Sequence, residues 1–191
     1  MHKKNLLVYL HGKGGNKSSH MPLIRKIAAK LDAEILALDA PFPHKSGYKW
    51  FDKAEYDGRL QMKAGDFNKS VDYIVNETEA ALDCRECAWD RVILCGHSQG
   101  ALMAVHLGLT MCPQAVISLC GSFPDYLTYS VPIDKEVPII WIEAGHEDHM
   151  DKQRRESYKI LEAWGCNLKY SVSPNSTHDV LNDEIVDLIN L

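Results

Sequence analysis

The 191-residue chain has no apolar run approaching the ~20 residues that a membrane-crossing helix needs. It also lacks a basic excess, since 21 Lys and Arg stand against 26 Asp and Glu, for a formal net charge of −5. A face that tracks nucleic-acid phosphates needs the opposite balance, so no nucleic-acid partner is expected. The charges are interspersed rather than blocked, which argues against an acidic disordered tail. There is no internal repeat and no low-complexity segment. What is present is an ordinary globular composition: 46% apolar residues supply a full core. At roughly 150 residues per domain, residues 1–191 are expected to form one domain.

The beginning of the chain, MHKKNLLVYLHG, has the basic-then-apolar order of a secretion signal. Its apolar stretch, residues 6–10, is shorter than the ~7–15 residues of a signal core, and no small-residue cleavage site follows. It is better explained as a buried strand, and the protein is expected in the cytoplasm. A second CxxC is also missing. Cys84 and Cys87 form a lone pair that follows a helical pattern, where neither a zinc site nor a redox motif is expected. Cys95 and Cys120 lie inside apolar runs and behave there as small hydrophobes. Reduced thiols are expected throughout.

Short apolar runs alternate with longer amphipathic stretches. The runs cover 6–10, 34–38, 92–95, 115–120, 139–143 and 168–172. They are nearly continuous, as strands buried on both faces should be. Helical spacing covers about 20–31, 68–82, 99–110, 152–164 and 183–191. The alternation predicts an α/β architecture: about six mostly parallel strands with helices on both faces. Six such units nearly exhaust the chain and leave no room for a large lid domain. Two longer irregular stretches, 41–67 and 121–137, carry aromatic residues. Loops of that length are usually functional, so Trp50, Phe51, Phe123 and Tyr126 are expected to line a substrate pocket.

The sharpest chemical signal is Gly96-His97-Ser98-Gln99-Gly100. It directly follows the strand run Arg91-Val92-Ile93-Leu94-Cys95 and directly precedes the helical run Ala101-Leu102-Met103-Ala104-Val105. A strand, a sharp turn and a helix would hold Ser98 on a strained elbow, with small residues needed at 96 and 100. The turn exposes Oγ and aims the new helix N-terminus at a developing oxyanion. A serine hydroxyl needs a base, and the base needs an orienting acid, which in this architecture follow in the order Ser, acid, His. His178 lies in a loop after the last strand run, at the carboxyl end of the sheet, and is the expected base. His106 sits within the helix after the elbow and is expected to pack there. The acid should follow the strand at 139–143, where Glu147, Asp148 and Asp151 compete. His146 and His149 share that segment, but consecutive loop residues point in different directions, so no metal site is expected.

The first strand ends in His11-Gly12-Lys13-Gly14-Gly15-Asn16-Lys17-Ser18. A phosphate loop ending at Ser18 would need glycine at positions 11 and 16, and both fail. The turn suits an oxyanion hole instead, with the backbone N–H groups of Lys13 and Gln99 as candidates.

Assembled, these pieces resemble the α/β-hydrolase superfamily. Within it they are similar to the phospholipase/carboxylesterase group, which includes acyl-protein thioesterases and small bacterial esterases. The matching elements are His11-Gly12, Ala40-Pro41, Trp50-Phe51-Asp52, Gly96-His97-Ser98-Gln99-Gly100, Gly145-His146-Glu147-Asp148 and Thr177-His178-Asp179-Val180. The resemblance implies a triad of Ser98, Asp148 and His178, with the Lys13 and Gln99 amides as oxyanion donors. It also implies no cofactor. Two departures stand out: Ala144-Gly145 replaces the His-Gly that often precedes the acid's loop, and His149, Met150 and Asp151 follow the acid where proline and a short apolar stretch are usual.

The expected function is therefore a serine hydrolase that cleaves carboxylic esters of short to medium acyl chains through an acyl-enzyme on Ser98. Its expected partner is a small-molecule ester or an acyl chain. The alternatives are an acyl thioesterase or depalmitoylase using the same triad, and a catalytically silent binding protein on the same fold.

Overall fold

The structure is a computed structural model that describes residues 3–56, 59–124, 133–145 and 151–191. In chain order its first elements are β1 (Asn5–Leu10), α1 (Met21–Lys30), β2 (Ala33–Leu38), β3 (Phe42–His44), β4 (Gly47–Lys49), β5 (Lys53–Tyr56), β6 (Arg59–Met62) and α2 (Ala64–Asp83). They are followed by β7 (Val92–His97), α3 (Gln99–Met111), β8 (Ala115–Leu119), β9 (Ile139–Ala144), α4 (Asp151–Ala163), β10 (Leu168–Ser173) and α5 (Glu184–Leu188).

Six strands form one sheet in the order β10-β9-β8-β7-β1-β2. Every neighbouring pair is parallel. This is the α/β-hydrolase fold, with no large added domain. The strand runs are nearly continuous because both faces are buried, and successive residues alternate between two cores. Leu6, Val8, Leu10, Leu94 and Trp141 belong to one core, together with residues of α2, α3 and α4. Leu7, Tyr9, Ile93, Cys95 and Ile142 belong to the other, against α1 and α5.

The helices follow their apolar spacing. Helix α1 buries Leu23, Ile24, Ile27 and Ala28, and has Pro22 in its first turn, where a missing N–H costs nothing. Helix α2 buries Phe67, Ser70, Ile74, Thr78 and Leu82, a single stripe at steps of three and four. It begins four residues before the predicted start. The Lys63 N–H is held by the Asp52 carbonyl at 2.8 Å, and the Lys63 carbonyl accepts from Asp66 and Phe67.

The stretch at 41–67 is not an irregular loop. It contains two antiparallel hairpins, β3–β4 and β5–β6. Among the described residues, which include all six cysteines, there is no disulfide, and Cys95 and Cys120 are buried. No helix of the described residues is long and apolar enough to cross a membrane.

The strand order places the site. From β1 the chain moves first to β2 on one side, and the later strands continue on the other side from β7. The switch therefore lies between β1 and β7, and loops leaving their carboxyl ends diverge and open a crevice. Those are the loops at 11–18 and at Ser98.

Candidate active site

Ser98 stands between β7 and α3 with φ 52° and ψ −113°. A positive φ is costly for a residue with a side chain and persists only where the surroundings enforce it. They do so here. The Ser98 N–H donates to the Leu119 carbonyl on β8 at 2.9 Å, and the Ser98 carbonyl accepts from Ala101 and Leu102 in the first turn of α3. The flanking glycines are required by close approach. A Cβ at Gly96 would lie 2.2 Å from the Gly100 oxygen, and a Cβ at Gly100 would lie 2.1 Å from the Leu10 oxygen.

The structure brings His178 to this serine. Its Nε2 lies 3.0 Å from Ser98 Oγ, within hydrogen-bond reach across 80 positions of sequence. The loop carrying His178 is bonded at several points. The Thr177 N–H donates to the Val180 carbonyl at 2.9 Å, and the Val180 N–H donates to Thr177 Oγ1 at 3.0 Å. Upstream, Glu184 accepts from the Asn175 N–H at 2.9 Å, from Asn175 Nδ2 at 2.8 Å, and from the Ser173 hydroxyl. These donors hold the Glu184 carboxyl below the usual carboxylate range, the Ser173 bond contributing most.

Two further histidines crowd His178. His97 is 5% exposed and donates from Nε2 to the His178 carbonyl at 2.7 Å. A carbonyl cannot donate, so Nε2 carries the proton. The His97 ring centre lies 5.1 Å from that of His178 and 4.6 Å from that of His20, which meets it edge-on. His20 is itself in the left-handed region, at φ 55°, and burial lowers its pKa. Gly12 closes the other side, where a Cβ would stand 2.7 Å from His97 Nδ1. The pentapeptide pattern constrains positions 96 and 100 and leaves 97 open, so sequence alone did not single out His97. Nothing local pointed to His20.

The loop that leaves β1 is built on His11 and Gly12. His11 is fully buried; its Nδ1–H donates to the Gly12 carbonyl at 2.7 Å, and its Nε2 accepts from the Ala40 N–H at 3.0 Å. Both nitrogens are committed to a neutral ring, and burial lowers the pKa accordingly. Gly12 then lies against the elbow, since its Cβ would be 3.3 Å from that of Ser98. Lys13 follows, exposed, and Gln99 is the first residue of α3. Among the described residues neither the Lys13 nor the Gln99 backbone N–H meets an acceptor.

Gln99 also acts through its side chain. Its Oε1 accepts from the Trp50 N–H and its Nε2 donates to the Phe51 carbonyl, each at 2.9 Å. This fastens the segment at 50–51 to the elbow.

Three of the four expected pocket residues are buried. Trp50, Phe51 and Phe123 are 0%, 2% and 2% exposed and belong to the main core. The Trp50 indole N–H donates to the His11 carbonyl at 2.8 Å, which turns the ring inward under the loop that leaves β1. Phe51 packs on Phe67 and Phe123 on Trp164. His106 lies on α3 against Phe67, as expected, with its ring centre 4.8 Å away. Burial lowers its pKa to about 4. Asp148, Glu147 and Tyr126 lie outside the described residues, and Asp151 opens α4.

Residues 1–190 match the family described as phospholipase/carboxylesterase. Among curated proteins, none matches the chain. Several solved structures share its fold. The structure of YahD with malic acid superposes with a TM-score of 0.78 at 18% identity, over 97% of this chain and 90% of the other. Esterase PE8 gives 0.73 at 22% identity, over 96% and 88%. The Bacillus cereus carboxylesterase gives 0.71 at 15% identity, over 96% and 84%. At these identities the likeness carries the fold and leaves the substrate to be argued from the site.

Proposed function

Because the chain belongs to the phospholipase/carboxylesterase family, we propose that it is a serine hydrolase that cleaves carboxylic esters through an acyl-enzyme on Ser98. The observation that carries this reading is the 3.0 Å approach of His178 Nε2 to Ser98 Oγ on a strained turn. His178 takes the hydroxyl proton as Oγ attacks the carbonyl carbon. The carbonyl oxygen becomes an oxyanion, received by the Lys13 and Gln99 N–H groups, which have no acceptor of their own among the described residues. His178 returns the proton to the departing alcohol, leaving an acyl-enzyme. Water then attacks with the same histidine as base and regenerates Ser98. We assign the orienting acid to Asp148, the position that matches the family pattern.

Short to medium acyl chains are the proposed substrates. Trp50, Phe51 and Phe123 are absorbed into the core, which leaves little of their aromatic surface for a long trough among the described residues. Each buried methylene is worth about 0.8 kcal/mol, so kcat/KM should climb with chain length and flatten where the pocket ends.

The test combines a fluorophosphonate probe with a panel of p-nitrophenyl esters and acyl thioesters of increasing length. Labelling of Ser98, its loss in Ser98→Ala and turnover that levels off at medium chains are expected. A folded protein that the probe leaves unlabelled would favour a silent binding module. A steady rise through palmitoyl thioesters would make it a depalmitoylase.

A further inference from the structure

The chain is acidic overall, yet the hairpin that packs on the loop after β1 is basic, with Lys45 and Lys49 and no acid within 42–49. The hairpin β3–β4 sits directly on the oxyanion loop. The Gly14 N–H donates to the Tyr48 carbonyl at 2.7 Å, and the Tyr48 N–H donates to the Gly15 carbonyl at 2.8 Å. Gly47 presses so closely on the same loop that a Cβ there would lie 2.2 Å from the Gly14 oxygen. The His44 ring lies over Gly14, with Cδ2 3.7 Å from where a Cβ would stand. On its far side, the chain leaving the hairpin is clamped by the Gln99 side chain through Trp50 and Phe51. The hairpin is thus fastened to both loops that flank the serine.

This platform gathers lysines. Lys13, Lys45 and Lys49 are all near enough to disfavour a proton on His44, and Lys13, Lys49 and Lys63 all favour the carboxylate of Asp52. One acid answers one of them. Asp52 takes Lys49, with both carboxylate oxygens at 2.8 Å, and Asp66 accepts the Asp52 N–H at 3.3 Å. Lys13, Lys45 and Lys63 are exposed, and among the described residues none of them has an ion-pair partner. A neutral acyl chain gains nothing from unpaired cations at the mouth of a site. An anionic substrate gains steering on approach and an attraction once bound, against the repulsion of the protein's net charge.

We propose that the site takes esters carrying an anionic group, a carboxylate or a phosphate, in addition to the scissile carbonyl, and that the side chains of Lys13, His44 and Lys45 receive that group beside the oxyanion loop. This rests on Ser98 being the nucleophile.

The test uses three fluorophosphonates that differ only at the end of the alkyl arm, which bears a carboxylate, a phosphate monoester or a neutral carboxamide. The second-order rate of Ser98 labelling is measured for the wild type and for Lys45→Asp. Aspartate suits the left-handed backbone at this position, φ 52°. At low salt one or both anionic probes should react about tenfold faster than the carboxamide, and the ratio should shrink toward one in ~0.5 M salt. The ratio should fall at least threefold in Lys45→Asp. Because it is a ratio, a loss of folded protein cancels. The order of the two anionic probes separates carboxylate from phosphate. A wild-type ratio at or below one overturns the proposal, and an unchanged ratio in Lys45→Asp overturns the assignment to the hairpin. Ser98 left unlabelled by all three probes would instead overturn the esterase reading, and the proposal with it.

Discussion

His97 donates from Nε2 to the backbone carbonyl of His178 at 2.7 Å, so the residue just before Ser98 holds the chain that carries His178. One strand end thereby positions both partners of the proposed proton transfer. Oγ is placed by the φ and ψ of Ser98, and Nε2 of His178 by a bond from its neighbour. A misplacement of about 1 Å at this point can cost on the order of a hundredfold in rate.

Replacing His97 should therefore act on chemistry more than on binding. His97→Phe keeps ring volume and removes the donor; its kcat should fall about 10–100-fold while KM stays within about threefold. His97→Gln, which restores an N–H, should recover part of the loss. Steady-state kinetics on one p-nitrophenyl ester would decide it. An equal rise in KM with unchanged kcat would place His97 in substrate binding instead.

Strain at Ser98 predicts a stability order among inactive variants. Both Ser98→Ala and Ser98→Gly lose Oγ and should lose all fluorophosphonate labelling. Alanine still carries a Cβ at φ 52°, whereas glycine adopts that conformation without penalty. Relief of strain is worth roughly 1–3 kcal/mol, less about 0.5–1 kcal/mol for the entropy of the added glycine. Ser98→Gly should thus be more stable than Ser98→Ala by about 1 kcal/mol in urea unfolding. An order the other way would mean the elbow is unstrained.

Gln99 separates a main-chain role from a side-chain role. Read from sequence, only its amide matters, and truncation should be mild. The two bonds to the segment at 50–51 change that. Gln99→Ala leaves the Trp50 N–H and the Phe51 carbonyl without these partners, at a cost of about 1–3 kcal/mol. A lower urea midpoint with an unchanged m-value is expected. A midpoint equal to the wild type would show that water replaces the side chain fully.

The same contrast explains what could be foreseen. The six sheet strands were legible because burial on both faces makes each a continuous apolar run. Ser98 and His178 were legible because strand, turn and helix signals place them at the carboxyl end of the sheet. The hairpins between 41 and 67 were not. β3 is three residues long and includes Pro43, and the hairpin's position comes from backbone bonds of Tyr48 on β4 to Gly14 and Gly15, some thirty residues earlier. The predicted helix at 183–191 ends instead at Leu188, because Ile189 turns to extended geometry, φ −86° and ψ 107°, and buries its side chain completely. The burial of Trp50, Phe51 and Phe123 was not legible either: the bond from the Trp50 indole to His11 is long-range and leaves no local mark.

The acid is testable by substitution. Asp148→Asn should cost on the order of 10³–10⁴-fold in kcat by favouring the wrong tautomer of His178. Asp151, at the start of α4, suits a helix N-terminus, where a carboxylate favours the dipole. Asp151→Asn and Glu147→Gln should each cost less than about tenfold. If Asp151→Asn is the crippling change, the acid's loop runs in a different register from the family pattern.

Acid should destabilise the fold through its buried histidines. Burial lowers the pKa of His106 from an ordinary 6.5 to about 4, and lowers that of His11 as well. Below pH 6.5 the unfolded chain binds protons that the folded chain refuses, so stability rises with pH across this window. The contribution of His106 is complete above pH 6.5 and is lost as pH falls from 6.5 toward 4, by which point the loss is on the order of 2–3 kcal/mol. His11 adds in the same direction, because a proton on Nε2 would remove the acceptor of the Ala40 N–H and leave that donor buried. Urea unfolding at pH 7.5, 6.5, 5.5 and 4.5 should show a progressive decline. The decline should be shallower in His106→Gln, which cannot take up the proton. A wild-type stability that stays level from pH 6.5 to 4.5 would mean that water reaches His106 and that its ring protonates in place.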